Sequence, residues 1–299
     1  MKKTLYILFI VFVSSCDSDI TQNVNYLWDN GNYEVYPYDE KFVIGNVSAI
    51  DSLKGKLSNL NPKEFSLDVY PYSFGPEYDL KNEPIIHEHG DKNGWPLGFL
   101  TDFSSIEKLS IGSVCNFTFK INSKNNLKHF KLSSHSCGRI YAKEPIHFSE
   151  LKNLESLHIN RYAFRPRELE GVSNIDKLES LTLTDCELDM RDLIGLKKQL
   201  RYLNISDSKV FNWQLLSDFK QLEVLYIANI ENIVLQNNDN IKFLSGLKKL
   251  RELSVKRNSI NNLEWVKNLN NLEKIYIQKT EIKDIPTELK KKKDLIIFK

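Results

Sequence analysis

Several things are scarce in this chain of 299 residues, and each scarcity removes a class of explanation. An excess of one charge is missing: 41 lysines and arginines face 39 aspartates and glutamates, and without Lys2 and Lys3 the two counts are equal. That balance argues against nucleic acid as a partner, since phosphate binding demands a basic surplus. No apolar run reaches membrane length. Leu5 to Val13 is nine residues, and a spanning helix needs about 20. There is no glycine loop of the phosphate-cradling type and no GxSxG nucleophile elbow. His87-Glu88-His89 could set two imidazoles on one side of a strand, but no second cluster with ligand spacing accompanies it, and its proline and glycine flanks mark an exposed loop. The sequence therefore points to no enzyme, no metal and no cofactor.

Cysteine is limited to four residues. Cys186 reads as structural. Cys115 and Cys137 lie 22 residues apart, which leaves open either a disulfide, as the extracytoplasmic side permits, or two buried thiols. The fourth, Cys16, belongs to the leader. Lys2 and Lys3 followed by the apolar run fit a secretory signal. Val13-Ser14-Ser15-Cys16 resembles the bacterial lipoprotein box. The resemblance implies a signal peptide over residues 1–15, removed before an acylated Cys16, and a lipidated tether over residues 16–32. Two or more acyl chains would hold such a protein stably at a membrane. The implied address is the bacterial cell envelope, facing outside the cytoplasm. Asp17 is compatible with either inner-membrane retention or surface export.

What the chain has in abundance is one aliphatic rhythm. In LKKLRELSVKRNSI, Leu247 to Ile260, apolar residues change from steps of three to an alternation of two, and the pattern returns 22 residues later as LNNLEKIYIQKTEI. With Leu253 as reference, equivalents fall at Leu109, Phe130, Leu157, Leu181, Leu203, Leu225, Ile275 and Leu295, at gaps of 20 to 28 residues. Most have an apolar residue three before and another two after. Self-similarity at this period signals stacked units, none of which buries its apolar face alone.

These copies resemble the leucine-rich-repeat family, closest to its 22-residue internalin and phosphatase-regulator type. The resemblance covers residues 99–299 and implies an α/β fold: a right-handed solenoid, or horseshoe, with a parallel sheet on its concave face. Residues 33–98 are then an amino-terminal cap. Within them Ser48 and Asp51 open a helix over Ala49 to Leu60, Phe65, Leu67 and Val69 alternate as in a strand, and two Tyr-Pro-Tyr segments follow EV and DV. Five residues after the reference, Asn258, Thr280, Ser208 and Cys186 can bond the turn. Val114, His135, Tyr162 and Ile230 cannot do so in the same way, and those turns are expected to differ. The 28-residue copy carries an insert whose Ile241 to Leu247 segment suits a short helix, and the 27-residue copy inserts GRIYAKEPIHFSE.

On a strand the neighbours of inward leucines face outward, so the concave face can be read off. Tyr202, Asn204, Tyr226, Lys256, Lys274, Tyr276, Gln278 and His158 are the candidate partner-binding residues, because tyrosine beside lysine and amide groups suits protein hot spots. An unknown protein is the expected partner, with a cell-surface glycan as the alternative. The charge is also divided: residues 17–107 hold 16 acidic against 6 basic side chains, and residues 245–299 hold 7 against 14. If Cys16 is acylated, labelled palmitate appears on the full-length protein and disappears in Cys16→Ala; labelling that persists removes the anchor.

Overall fold

The computed structural model describes residues 40–44, 54–55, 57–59, 61–69, 95–112, 116–133, 140–142, 144–164, 168–230 and 241–299. The leader with Cys16, the tether, the Tyr-Pro-Tyr segments, His87 to His89, Val114, Cys115, His135 and Cys137 lie outside the described residues.

Each leucine triplet bends into one short strand, and the strands stack in chain order into one parallel sheet. Its eleven members are β1 (Glu40–Ile44), β2 (Glu64–Val69), β4 (Lys108–Gly112), β6 (His129–Leu132), β8 (Ser156–Asn160), β9 (Ser180–Thr184), β11 (Tyr202–Asn204), β13 (Val224–Tyr226), β14 (Glu252–Ser254), β15 (Lys274–Tyr276) and β16 (Ile296–Phe298). The reference residues pair across it as expected from Leu109 through Phe130, Leu157, Leu181, Leu203, Leu225 and Leu253 to Ile275. The last rung differs. Ile297, not Leu295, pairs with Ile275. Both residues lie on the same side of the strand, so a slip of two keeps every face intact and only hydrogen bonding reveals it. The sheet also continues past Phe99: β2 pairs with β4, Phe65 opposite Leu109, and β1 pairs with β2.

The chain returns behind the sheet through short segments, mostly 3-10 turns: Leu97–Asp102, Phe148–Glu150, Met190–Lys198, Trp213–Asp218, Lys242–Gly246 and Glu264–Asn268, with α-helical pieces at Glu168–Ser173 and Thr287–Lys290. The short helix expected from Ile241 is there. Gly195 lets one return segment touch the next, since a Cβ on it would lie 2.6 Å from the Ser173 carbonyl oxygen. Two small parallel sheets complete the shell. One joins β3 (Trp95–Pro96), β5 (Asn116–Thr118) and β7 (Tyr141–Ala142), and the other joins β10 (Glu187–Asp189) and β12 (Lys209–Phe211).

Between sheet and returns runs one continuous aliphatic core. From Leu109 to Ile275 the residues three before, at and two after the reference are buried, for example Leu178, Leu181 and Leu183, or Leu250, Leu253 and Val255, whereas Leu295 and Ile297 at the last rung are only partly buried. A fully buried leucine contributes roughly 1.5–3 kcal/mol relative to an exposed one. The same core encloses Phe117, Phe119 and Phe130, the last two stacked at 5.2 Å.

A polar seam runs beside the core at the turns. Asn258 is buried; its amide donates to the carbonyls of Ile227 (2.7 Å) and Val255 (3.1 Å), and its Oδ1 accepts from the Ile230 N–H at 3.0 Å. Ser208 does the same one rung pair earlier, donating to Leu183 and accepting from the Cys186 N–H. Each side chain therefore serves the preceding rung as well as its own. This is how Ile230, which has no polar side chain, keeps a satisfied turn. Tyr162 uses another device: its hydroxyl donates to the buried Glu168 carboxylate at 2.5 Å, which also accepts from the Ile146 N–H at 2.7 Å. Cys186 is a buried thiol that donates to the Thr184 carbonyl, and Thr280 Oγ1 donates to Ile277. Asn258→Ala leaves two carbonyls and one N–H of two rungs without this partner and is expected to cost about 2–4 kcal/mol. Urea unfolding checks it; a loss no larger than that of an exposed Asn261→Ala control contradicts the seam.

Candidate functional site

The concave side of the sheet is bounded by two edges, and the residues that set them follow from repeat position. At the strand entrance, two residues before each reference, stand Glu107, Lys128, Glu155, Glu179, Arg201, Glu223, Arg251 and Glu273, successive members joined by backbone hydrogen bonds. Charges along this edge mostly alternate. Lys128 bonds Glu107 at 2.8 Å, Arg201 bridges Glu179 (3.5 Å) and Glu223 (2.8 Å), and Arg251 reaches Glu273 at 2.9 Å. The hydrogen bonds of Lys128 and Arg251 hold the carboxyls of Glu107 and Glu273 below the usual range, and raise the two cations in return.

At the strand exit, four residues after the reference, the backbone turns through the left-handed region at Arg161, Asp185, Asp207, Asn229, Arg257 and Lys279, with φ between 51° and 59°. Asp and Asn tolerate that region better than other residues bearing a Cβ. Side chains there also pair, Arg161 with Asp185 at 2.7 Å and Asn229 with Asp207 at 2.8 Å. Asp185, Asp207 and Asn229 are the sequence signal for this column.

Between the edges the face changes along the stack. Lys108, His129, Lys131 and His158 stand on three successive strands, Lys108 in an ion pair with Glu64. Buried Thr182, Thr184 and Ser206 make a small hydroxylic middle. From β11 onward the surface is aromatic. Tyr202 meets Tyr226 edge-on at 5.7 Å, Tyr226 meets Tyr276 at 6.3 Å, and Tyr276 stacks on Phe298 at 4.5 Å with rings 7° from parallel. Lys256 Nζ lies 4.7 Å from the Tyr276 ring centre, a cation–π contact.

The eight candidate residues are thus not equivalent. Tyr202, Tyr276, Lys256 and Lys274 gather around this aromatic patch and are half-buried. Tyr226 is 8% exposed, and its hydroxyl donates to Glu252, whose other oxygen holds Lys274 at 3.3 Å. The hydrogen bond to Glu252, then its charge, keep Lys274 above the usual lysine range. Tyr226 is a floor under its neighbours more than a contact surface. Asn204 is buried and its Oδ1 accepts from the Ser206 N–H at 3.0 Å, so its side-chain oxygen is engaged by the turn. Gln278 is half-buried at the exit edge, its amide oxygen without a hydrogen-bond partner among the described residues. His158 stands three strands before Tyr226, away from the patch. The sequence reading missed Phe298, which completes the aromatic row and is 36% exposed, because the slip at the last rung placed it off the column.

Among the described residues no group of three or more histidines, cysteines and carboxylates is placed to hold a metal, and no helix is long and apolar enough to cross a membrane. Neither a family model nor a curated protein sequence matches the chain. Among solved structures, an internalin (inlF) from Listeria monocytogenes superposes with a TM-score of 0.53 at 19% identity, over 85% of this chain and 70% of that one. An internalin C2 from the same organism gives 0.49 at 20% identity, over 65% and 80%. With the continuous parallel sheet, the first of these establishes the leucine-rich-repeat solenoid as the fold.

The entrance-edge pairs make stability depend on pH with a definite sign. Carboxyls held low in the folded chain add stability that is complete above their unfolded pKa, about 4.3 for glutamate, and drains as pH falls through the folded value. Thermal melting followed from neutral to acid pH should show the protein losing stability, and losing less in Lys128→Met/Arg251→Met. Added salt should shrink the same difference. Identical acid limbs in both proteins would show that these pairs contribute nothing.

Proposed function

We propose that this chain is a non-enzymatic binding protein of the bacterial cell envelope, anchored through acyl groups on Cys16, that captures another protein on its concave sheet with help from inserted loops. The aromatic row of Tyr202, Tyr226, Tyr276 and Phe298 carries this reading. Its rings hold one another, and Tyr226 is tied to Glu252. Such a surface is ordered before a partner arrives, which lowers the entropy lost on binding. Rigid aromatic groups flanked by lysine are what protein interfaces concentrate at their centres. The internalin likeness supports a scaffold of this kind at the level of fold, and the leader supports the address.

A glycan fits the aromatic surface less well. Tyr276 and Phe298 stack on each other, and among the described side chains no tryptophan supplements them: Trp213 packs edge-on against Phe243 at 4.7 Å, and Trp265 is buried. Catalysis would need convergent reactive groups, and the open sheet offers hydroxyls and rings spread over many strands.

The test uses the chain as bait against envelope extracts, with Tyr202→Ala/Tyr276→Ala as the partner-facing variant. Both side chains are half-buried, so the double variant should keep its melting temperature within a few degrees while losing most of the captured protein. Equal capture by wild type and variant would remove the concave surface from the account. Capture that survives protease treatment of the extract but not glycosidase treatment would replace protein with glycan.

A further inference from the structure

The exit edge ends in an arrangement that differs from the rungs before it. Arg257 and Lys279 occupy neighbouring rungs, the Arg257 N–H bonding the Gln278 carbonyl at 3.0 Å. Both have φ of 57°, in the left-handed region. That conformation is unfavourable for a residue with a Cβ, and glycine adopts it readily. Elsewhere in the column the cost is met locally, since Asp185, Asp207 and Asn229 are suited to the region and Arg161 is paired with Asp185. Arg257 and Lys279 are of neither kind. Their side chains are exposed and have no ion-pair partner among the described residues.

Two like charges on adjacent rungs also repel, as cross-strand neighbours do. The entrance edge shows that this chain can interleave opposite charges, with Arg201 and Arg251 each set between glutamates. At the exit edge of the same rungs it does not. The nearby carboxylate Glu252 is engaged by Lys274 and Tyr226, and Glu281 and Asp284 line a separate groove with Asn261 and Pro286. Lys256 adds a third cation, resting on the Tyr276 ring at the border between this edge and the aromatic patch. Such backbone strain at residues whose side chains form no ion pair among the described residues is a pointer to function.

We infer that Arg257, Lys279 and Lys256 form a cationic rim that recognises an acidic polypeptide segment of the partner, one whose aromatic or aliphatic side chain lies against Tyr276 and Phe298. The inference rests on the concave-sheet reading and adds the partner's chemistry to it. Carboxylates along an extended segment would alternate at about 6.8 Å on one side of the strand, a spacing that two rungs and the flanking Lys256 can meet. Desolvation at the aromatic border strengthens these charge-assisted hydrogen bonds.

The experiment titrates a fluorescein-labelled random copolymer of glutamate and tyrosine onto the full chain, with polyglutamate and dextran sulfate as comparison probes. The copolymer should bind more tightly than polyglutamate and release as salt rises. Arg257→Glu/Lys279→Glu should weaken copolymer binding by about tenfold or more, through the reversal of two rim charges. Arg257→Gly/Lys279→Gly separates the rim from folding: it should weaken binding as well, while raising Tm by about 2 °C or more as the turns relax. Copolymer binding that both variants leave unchanged overturns the rim. Dextran sulfate bound as tightly as the copolymer, with the same losses, also overturns it in favour of unselective anion attraction. The bait experiment completes the separation. If Tyr202→Ala/Tyr276→Ala loses the captured protein and Arg257→Glu/Lys279→Glu keeps it, the concave sheet stands and the rim falls; if both keep it, the sheet falls too.

Discussion

No rung of this molecule can exclude water from its leucines without a rung on either side, and most of the architecture follows from that dependence. A single strand of three residues is far too short to be stable, and a return segment of one or two turns is no better. Stacked, the same pieces share one interior and one hydrogen-bonded sheet. The interior is uniform enough that Phe130 or Ile275 can replace leucine at the reference position. Stability is then approximately a sum over rungs and their contacts.

Aliphatic burial sets the stacking but does not close the turns. Peptide groups beside the core must find partners, and side chains reaching to the rung before provide them, Asn258 and Ser208 most completely. This couples neighbouring repeats in a second way, through directional bonds instead of area. The two edges carry the remaining differences between rungs. One is a ladder of compensated charge; the other is a column of left-handed turns in which compensation stops at the last two members. Function is read from those differences, because the common pattern is the same in every repeat.

The core was legible because leucine at fixed spacing has one economical burial, and the faces were legible because strands alternate. What escaped has physical reasons. The two-residue slip from Leu295 to Ile297 preserves the inward face, so apolarity could not detect it. Strand β2 was visible in the alternation of Phe65 and Leu67, but its pairing with β4 is a long-range fact with no local trace. Tyr226 and Asn204 sit on outward positions, yet a neighbour's carboxylate and a turn N–H draw them in. Arginine and lysine carry no signal for a left-handed turn, so Arg257 and Lys279 were read only as charge. The site was therefore legible as a surface and not as a set of working side chains.

The charge ladder has a consequence for descent. From Glu179 through Arg201, Glu223 and Arg251 to Glu273 the signs alternate without interruption. Deleting the Arg201, Glu223 or Arg251 repeat alone would bring two like charges together, whereas deleting or duplicating two adjacent repeats within the stretch leaves the alternation whole. Recombination among relatives of this chain should accordingly favour changes of length by pairs here, a parity written into the solenoid by electrostatics and not by the leucines.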